Sequence, residues 1–286
     1  MEEQQKIAHF LDYKTAQIDA LIAKKEALLE KLAEKRTALI SEAVTKGCDR
    51  TVPMKDSGIK WLGEIPAHWS ILPLRRLMRE NTQNGLYKSK EQFSKDGVPF
   101  IQMGEAFAEP VISQVAKDRV LVSDSELQKW ELLNGDLIFA RRSLVFEGSG
   151  KCSVVGDLPE PHIYESSMIR VRLDTKRLDP MFAFFYFGSS FSRAQMLATT
   201  KRVTISGIDS QQLKAMIFTL PSINEQIEIL KFIENENSAY RKNCKKIVKA
   251  IGYLKEYRTA LITNAVTGKI DVRDIKLSDL EPVEAA

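Results

Sequence analysis

The sequence predicts an α+β protein in which one mixed α/β domain lies between two long helices that pair as an antiparallel coiled coil. Three observations support this fold class. Residues 3–45 are repeated at 225–267 without a gap. Both copies place apolar residues in a seven-residue rhythm, which is typical of coiled coils. The segment between them differs from both, with clustered prolines and short apolar runs that indicate strands.

The internal repeat is clearest where RTALISEAVT at 36–45 matches RTALITNAVT at 258–267, at a constant offset of 222 residues. Repeats of this kind constrain the whole fold, because each copy must form the same unit of structure. Identical residues continue towards the start of both copies, in the pairs Glu3/Glu225, Gln4/Gln226, Ile7/Ile229, Phe10/Phe232, Leu32/Leu254 and Glu34/Glu256.

Each copy is predicted to be one long helix. The heptad positions 11, 18, 25, 32 and 39 are Leu, Ile, Lys, Leu and Leu, and 233, 240, 247, 254 and 261 are Ile, Tyr, Ile, Leu and Leu. Gly47 and Gly268 stand where the helices should stop. About 42 residues at 1.5 Å rise give a rod of roughly 60 Å. The first helix leads into the middle region and the second leads out of it, so the two should pair antiparallel.

The middle region is predicted to be a mixed α/β domain. Short apolar runs indicate strands at 98–103, 136–140, 151–155 and 168–173, and helical patterns cover 123–132, after a Ser-Asp cap, and 180–197. We therefore divide the chain into helix 1 at 1–48, the domain at 49–222, helix 2 at 223–270 and a C-terminal tail at 271–286.

Composition limits the class of protein. The 286 residues are 44% hydrophobic and 28% charged, with a formal net charge of +4, as in a globular protein able to bind nucleic acid. No apolar run approaches the roughly 18 residues of a membrane span, and the acidic start is unlike a secretory signal. The three cysteines, isolated from each other and from histidine, predict neither a disulfide framework nor a metal site. We expect a cytoplasmic, reducing location.

Motifs for catalysis are lacking. GSGK at 148–151 resembles a phosphate loop, but Val145 replaces the first glycine and Cys152 replaces the Ser/Thr that would hold magnesium. A dinucleotide fingerprint and an amino-methyltransferase Asn/Asp-Pro-Pro-aromatic stretch are both missing. The histidines at 9, 68 and 162 are scattered. The sequence therefore predicts a protein that is not an enzyme, with no catalytic residues, no metal and no cofactor of its own.

Basic clusters remain as the functional signal. Arginine and amide side chains suit base edges, whereas lysines mostly hold phosphates. A strand end presents such groups on a stable backbone, and Arg141-Arg142-Ser143 directly follows the predicted strand 136–140. Solvated surface charge is the alternative for any one of these residues. On chemistry we assign two sets: Arg141, Arg142, Ser143 and Gln102 near base edges, and Lys88, Lys90, Lys151, Lys201 and Arg202 near phosphates.

Five segments resemble, in order, the specificity subunits of type I restriction-modification systems: GIKWLGEIPAHW (58–69), VPFIQMGE (98–105), NGDLIFARRS (134–143), TISGIDSQQLKAM (204–216) and LPSINEQ (220–226). The resemblance implies target-recognition domains joined by two long antiparallel helices. It implies binding to double-stranded DNA, where each domain reads half of a bipartite target. It also implies modification (methyltransferase) partners that carry S-adenosylmethionine, with or without restriction subunits.

The chain departs from the family order of domain, helix, domain, helix, because it starts within the first helix. We expect either a homodimer that reads a palindromic interrupted site, or a truncated or split subunit that needs a separate recognition domain. Two other classes stay open. A coiled-coil scaffold without sequence-specific reading is one, and an enzyme that cuts or methylates DNA by itself is the other.

Overall fold

A computed structural model describes residues 2–143, 148, 150–199 and 206–272. The chain forms two compact units, one made of Met1–Arg36 with Asn235–Ala286 and the other of Thr37–Glu234. The α-helices are α1 (Glu2–Lys46), α2 (Met103–Ala106), α3 (Asp124–Trp130), α4 (Pro180–Gly188), α5 (Ser190–Thr199), α6 (Ser210–Ala215) and α7 (Ile223–Val266).

The strands all lie between helices α1 and α7, within the second unit. They are β1 (Met54–Asp56), β2 (Glu64–Pro66), β3 (Ser70–Pro73), β4 (Gln83–Asn84), β5 (Phe93–Ile101), β6 (Val111–Ile112), β7 (Arg119–Val120), β8 (Leu137–Ala140), β9 (Arg142–Ser143), β10 (Cys152–Val155), β11 (Ile163–Tyr164), β12 (Met168–Val171), β13 (Ser206–Gly207) and β14 (Ile217–Leu220). The α+β fold class predicted from the sequence is thus confirmed.

In the first unit the two long helices pack antiparallel, as the repeat predicts. Arg36, late in α1, donates from Nε to Asn237 Oδ1 at 2.6 Å, and Asp19, earlier in α1, accepts from Arg258 Nε at 2.9 Å. Residues late in α1 contact residues early in α7, and the reverse, so the two helices are antiparallel. The apolar seam between them contains Phe10, Ile18, Ile22, Ile251, Leu261 and Ala265, with Val272 beyond α7.

Both helices end at the predicted glycines. Gly47 and Gly268 have φ values of 80° and 74°, in the left-handed region where a side chain is strained. Gly47 N donates to Ala43 O at 3.0 Å, which satisfies one of the last carbonyls of α1. The unit borders at 36/37 and 234/235 fall inside the helices.

The second unit is built on a five-stranded sheet of order β4-β12-β8-β10-β6. Neighbouring strands are antiparallel except that β6 runs parallel to β10. A three-stranded sheet of order β11-β5-β7 accompanies it, with β11 parallel to β5. Helix α4 contributes Phe182, Ala183, Tyr186 and Phe187 to the large core, where the rings of Tyr186 and Phe218 stack at 3.8 Å.

The predicted strands and helices of this unit appear, with boundaries that differ by one to five residues, and β5 already begins at Phe93. The strand at 98–103 stops at Ile101, because Met103 begins the short helix α2. The strand at 168–173 ends at Val171. The helix at 180–197 is two helices, because Ser189 takes an extended conformation with φ −67° and ψ 153°. The predicted cap of α3 is present, since Ser123 Oγ accepts from Glu126 N at 3.3 Å.

No helix in the described part of the chain is both long enough and apolar enough to cross a membrane. The cysteines at 48, 152 and 244 are free thiols. Burial, with smaller contributions from Glu225 and Glu228, raises the pKa of the Cys48 thiol to about 11. This side chain therefore stays largely protonated at neutral pH.

Candidate nucleic-acid interface

Sheet topology brings several predicted residues together where neighbouring strands of the five-stranded sheet begin and end. Because β8 runs antiparallel to both β10 and β12, the end of β8 lies beside the starts of those strands. Arg141 and Arg142 follow β8, and Lys151 directly precedes β10. The same pairing brings in residues 165–167 before β12 and residues 85–87 after β4. We call this set the basic edge.

The backbone around Arg141 is fixed on three sides. Its N–H donates to Ser167 O at 2.9 Å, its carbonyl accepts from Ile208 N at 3.1 Å, and its guanidinium donates to Ser166 O at 3.4 Å. Arg142 is exposed and pairs with Gly207 in the ladder between β9 and β13. Two guanidinium groups are therefore presented from a hydrogen-bonded strand end, as the sequence predicted.

Lys151 and the backbone of Ser143 belong to the same region. Lys151 O accepts from Ala140 N at 2.8 Å, and the exposed Lys151 ammonium donates to Phe107 O at 3.0 Å. A lysine ammonium has three donors, so a phosphate could still bind there. Ser143 pairs with Ser206 in the β9–β13 ladder.

Gln102 is brought close to the basic edge by the second sheet. It follows β5, which pairs in parallel with β11, so Gln102 and Glu165 leave adjacent strands on the same side. Glu165 Oε1 accepts from Met103 N at 2.6 Å. The Gln102 amide donates one N–H to the Asp118 carboxylate, which leaves its second N–H and its carbonyl oxygen for a ligand. Gln102 also lines an open cavity of about 580 Å³.

Lys88 requires a correction. It was assigned to phosphate, but its ammonium donates to both carboxylate oxygens of Glu126, at 2.9 and 3.1 Å, and its side chain is only 3% exposed. The ion pair could not be predicted from the sequence, because Glu126 lies 38 residues further along the chain. Lys88 is a structural anchor for α3, and its charge is already compensated.

Lys90 does not join the edge. Lys90 is exposed, but it begins a short 3₁₀ turn that precedes β5, whereas Gln102 follows that strand. It is therefore at the opposite end of β5 from the basic edge. Lys201 and Arg202 lie outside the described residues.

Sequence reasoning left one prominent residue of this edge unassigned. Tyr87 is 77% exposed, the largest exposure among the large hydrophobic side chains in the described part of the chain. It follows Gly85 and Leu86, whose N–H groups donate to Met168 O at 3.0 Å and Tyr164 O at 2.9 Å. An aromatic residue two positions after the Asn84-Gly85 pair was the available signal.

The histidines have structural surroundings. His162 is fully buried, where Nε2 accepts from Ala116 N at 3.2 Å and Nδ1 lies 2.7 Å from Glu160 O. His68 Nε2 lies 3.0 Å from Glu225 Oε2, and His9 is exposed. Within the described ranges, no three His, Cys, Asp or Glu side chains converge as a metal site would require.

Comparison with protein families identifies a DNA specificity domain. The model of the type I restriction modification DNA specificity domain matches residues 79–249. This range includes the whole basic edge, and it also includes Gln102 and the first half of α7.

Curated relatives agree with this match. The specificity subunit of the type I restriction enzyme EcoKI of Escherichia coli K12 is 28% identical over 275 residues, which is 94% of this chain and 56% of the relative. The MjaVIII specificity subunit of Methanocaldococcus jannaschii is 25% identical over 283 residues, which is 96% of this chain and 62% of the relative. The chain thus spans somewhat more than half the length of these relatives.

Solved structures share the fold. A chain from a type I R-M system, solved to explain complex assembly and conformational transition, superposes with a TM-score of 0.59 at 14% identity, over 90% of this chain and 58% of its own length. The HsdS subunit from Thermoanaerobacter tengcongensis gives a TM-score of 0.55 at 14% identity, over 94% of this chain and 59% of its own length.

Proposed function

We propose a DNA-reading role for this chain, starting from the fact that it belongs to the type I restriction modification DNA specificity family. In this proposal the domain between the long helices binds one half of a bipartite DNA target. The chain performs no chemistry itself, and methyltransferase subunits that carry S-adenosylmethionine dock on it. Restriction subunits would join the same complex where the system has them.

The observation that carries the proposal is the basic edge within the family-matched range. Guanidinium groups bind guanine edges bidentately in the major groove and also bind phosphates. Arg141 is half-buried and held by three hydrogen bonds, which suits a group that must meet a base in one geometry. Arg142 and Lys151 are exposed, which suits contacts with the DNA backbone.

The other half of the target needs a second recognition domain, and the repeat indicates where that domain binds. Gln226, near the start of α7, is fully buried: its amide accepts from Asp179 N at 2.8 Å and donates to Arg177 O at 2.9 Å. Its repeat equivalent on α1, Gln4, is exposed. The same side chain is thus used in one copy and available in the other.

The opposite ends of the helices show the same difference. Val44, near the end of α1, is 0% exposed in the core of the second unit, whereas its equivalent on α7, Val266, is 64% exposed. Covering an exposed valine contributes roughly 1.5–3 kcal/mol. We propose that a second domain of the same kind covers the Gln4 and Val266 ends, supplied by a second copy of this chain or by another polypeptide segment.

Substitution of the basic edge tests the reading role. The chain is purified with its methyltransferase partner, and methylome sequencing of cells with and without the gene supplies the DNA motif. Each base or phosphate contact is worth about 1–3 kcal/mol, so R141A with R142A should weaken binding to a duplex carrying that motif about 100-fold or more. R50A, which removes an exposed arginine that follows α1, is the matched control.

The same experiment distinguishes sequence-specific DNA reading from the role of a coiled-coil scaffold. If the assembled wild-type complex has no preference for the motif over a scrambled duplex, the chain is a coiled-coil scaffold without sequence-specific reading. The helix pairing in the first unit supports such a scaffold. If the wild type is specific and the double variant binds equally well, the reading role stands but the basic edge is not its site. Methylation by the purified chain alone would contradict the non-catalytic role.

A further inference from the structure

We propose that Tyr87 is a DNA-contacting residue, held in place by the ion pair of Lys88 with Glu126. This inference rests on the proposed reading role and adds a residue and a chemistry to it. The starting observation is that a Tyr side chain 77% exposed stands on the edge that also presents Arg141 and Arg142.

Tyr87 and Arg141 are linked through one short turn. Leu86, directly before Tyr87, forms a bridge with Glu165 and donates its N–H to Tyr164 O at 2.9 Å. Arg141 bonds to the next two residues of that turn, Ser166 and Ser167. A ligand that reaches Arg141 therefore meets the segment that carries Tyr87.

The backbone of Tyr87 is pinned from both sides. Before it, Gly85 lies so close to the neighbouring segment that a Cβ atom would stand 2.0 Å from Glu165 O. After it, Lys88 is anchored on Glu126 by two hydrogen bonds, and its side chain is 3% exposed. An aromatic ring on a fixed backbone loses little conformational entropy when it binds, which is the usual property of an anchor residue.

The aromatic ring of Tyr87, more than its hydroxyl, would be stabilised by a binding partner. Water can hydrogen-bond to the exposed phenol hydroxyl, whereas exposure of the aromatic carbon surface to water is unfavourable. The apolar groups that DNA offers in its grooves are the thymine methyl and the deoxyribose. We therefore assign Tyr87 an apolar contact with DNA, next to the guanidinium contacts of the basic edge.

Two variants test the contact, in the complex with the methyltransferase subunit and on the motif-bearing duplex. Y87A should weaken binding about tenfold, and Y87F should bind within about twofold of the wild type, because it keeps the ring. L121A, which removes a 53% exposed leucine next to β7, is the control for exposed apolar area and should bind like the wild type. Thermal unfolding of each variant shows that the fold is retained.

Base substitutions in the duplex show which DNA group contacts the Tyr87 ring. If uracil in place of thymine at single positions weakens wild-type binding but not Y87A binding, the methyl group is the partner. If uracil has no effect while Y87A remains weak, deoxyribose is the partner. Wild-type affinity for Y87A overturns the inference but leaves the reading role intact. Equal losses in Y87A and Y87F overturn the ring contact in favour of the hydroxyl.

The positioning role of the Lys88–Glu126 ion pair is tested by comparing E126Q in the presence and in the absence of the Tyr87 ring. E126Q removes the charge that holds Lys88, so it should weaken DNA binding several-fold in the wild-type background. In the Y87A background the same change should have almost no further effect, because the residue it positions is gone. Additive losses would mean that Glu126 acts on DNA binding by another route, and the positioning role would be withdrawn.

Discussion

The carboxylate of Glu225 should hold the start of the recognition domain to helix α7, and its removal should destabilise the second unit. Glu225 Oε1 accepts from Trp69 Nε1 at 2.9 Å, and Oε2 lies 3.0 Å from His68 Nε2. Trp69 is only 1% exposed, whereas the His68 side chain is 51% exposed. The bond to the indole is therefore the one that matters.

The size of the effect follows from the burial of the indole. A hydrogen bond to a charged group contributes roughly 1.5–3 kcal/mol, and a buried donor left without a partner costs a similar amount. We expect Glu225→Ala to lower the free energy of unfolding by about 2–3 kcal/mol. Glu225→Gln keeps an oxygen for the indole and should cost about 1 kcal/mol. The exposed His68 contact adds little, because solvent screens it.

The repeat supplies the matched control. Glu3 is the equivalent of Glu225, lies in the first turn of α1, and is exposed. Charges in a first turn interact with the helix dipole by about 0.3–1 kcal/mol, and this contribution is common to Glu3→Ala and Glu225→Ala. Urea unfolding of the full chain, followed by far-UV circular dichroism, measures both variants, because this signal reports the long helices as well as the second unit. The difference between them isolates the bond to Trp69.

Equal stabilities for the two alanine variants would refute this reasoning, because the bond to the indole would then contribute nothing. A loss in Glu225→Gln as large as in Glu225→Ala would mean that the charge, and not the acceptor, is essential. The hydrogen-bond account would then be replaced by an ion pair with His68. That alternative carries its own check, since His68→Ala would reproduce the full loss.

Two further predictions concern the segment on either side of Tyr87. Gly85→Ala should cost about 2 kcal/mol or more in unfolding free energy, because its Cβ would meet a backbone carbonyl at 2.0 Å. Gly188→Ala, with open space around it, is the control, and equal costs would contradict the steric argument. The pKa of Glu126 is lowered, mainly by the hydrogen bond from Ser123 N–H and to a smaller extent by Lys88. The wild type should therefore be more stable than E126Q by its full margin at neutral pH, and this margin should shrink as the pH falls below about 4.3. A margin independent of pH would contradict the ion pair.

Local patterns predicted the elements whose causes are local. Heptad spacing placed Ile18 and Leu261 in the seam, and Gly47 marked the stop of α1 because few other residues tolerate its positive φ. The Ser-Asp cap of α3 was equally legible, since a cap and its partner lie within four residues. The break between α4 and α5 was missed, because an extended serine carries no sequence mark.

The site was predicted in part. Arg141 and Arg142 follow a strand whose apolar run is readable, so their presentation at a strand end could be foreseen. Lys88 was misassigned because its partner Glu126 is distant in sequence, and a lysine is exposed unless a carboxylate is folded against it. Tyr87 was passed over because its exposure depends on which strands surround it.

The sequence by itself determined that two equivalent helices flank one mixed domain, because a repeat and a heptad rhythm are properties of the linear order of residues. Tertiary structure alone decided which copy of each repeated side chain is buried. Val44 and Val266 are the same residue type in the same motif, yet one is 0% and the other 64% exposed. Burial is set by what packs against a surface, and that depends on contacts between residues far apart in the chain.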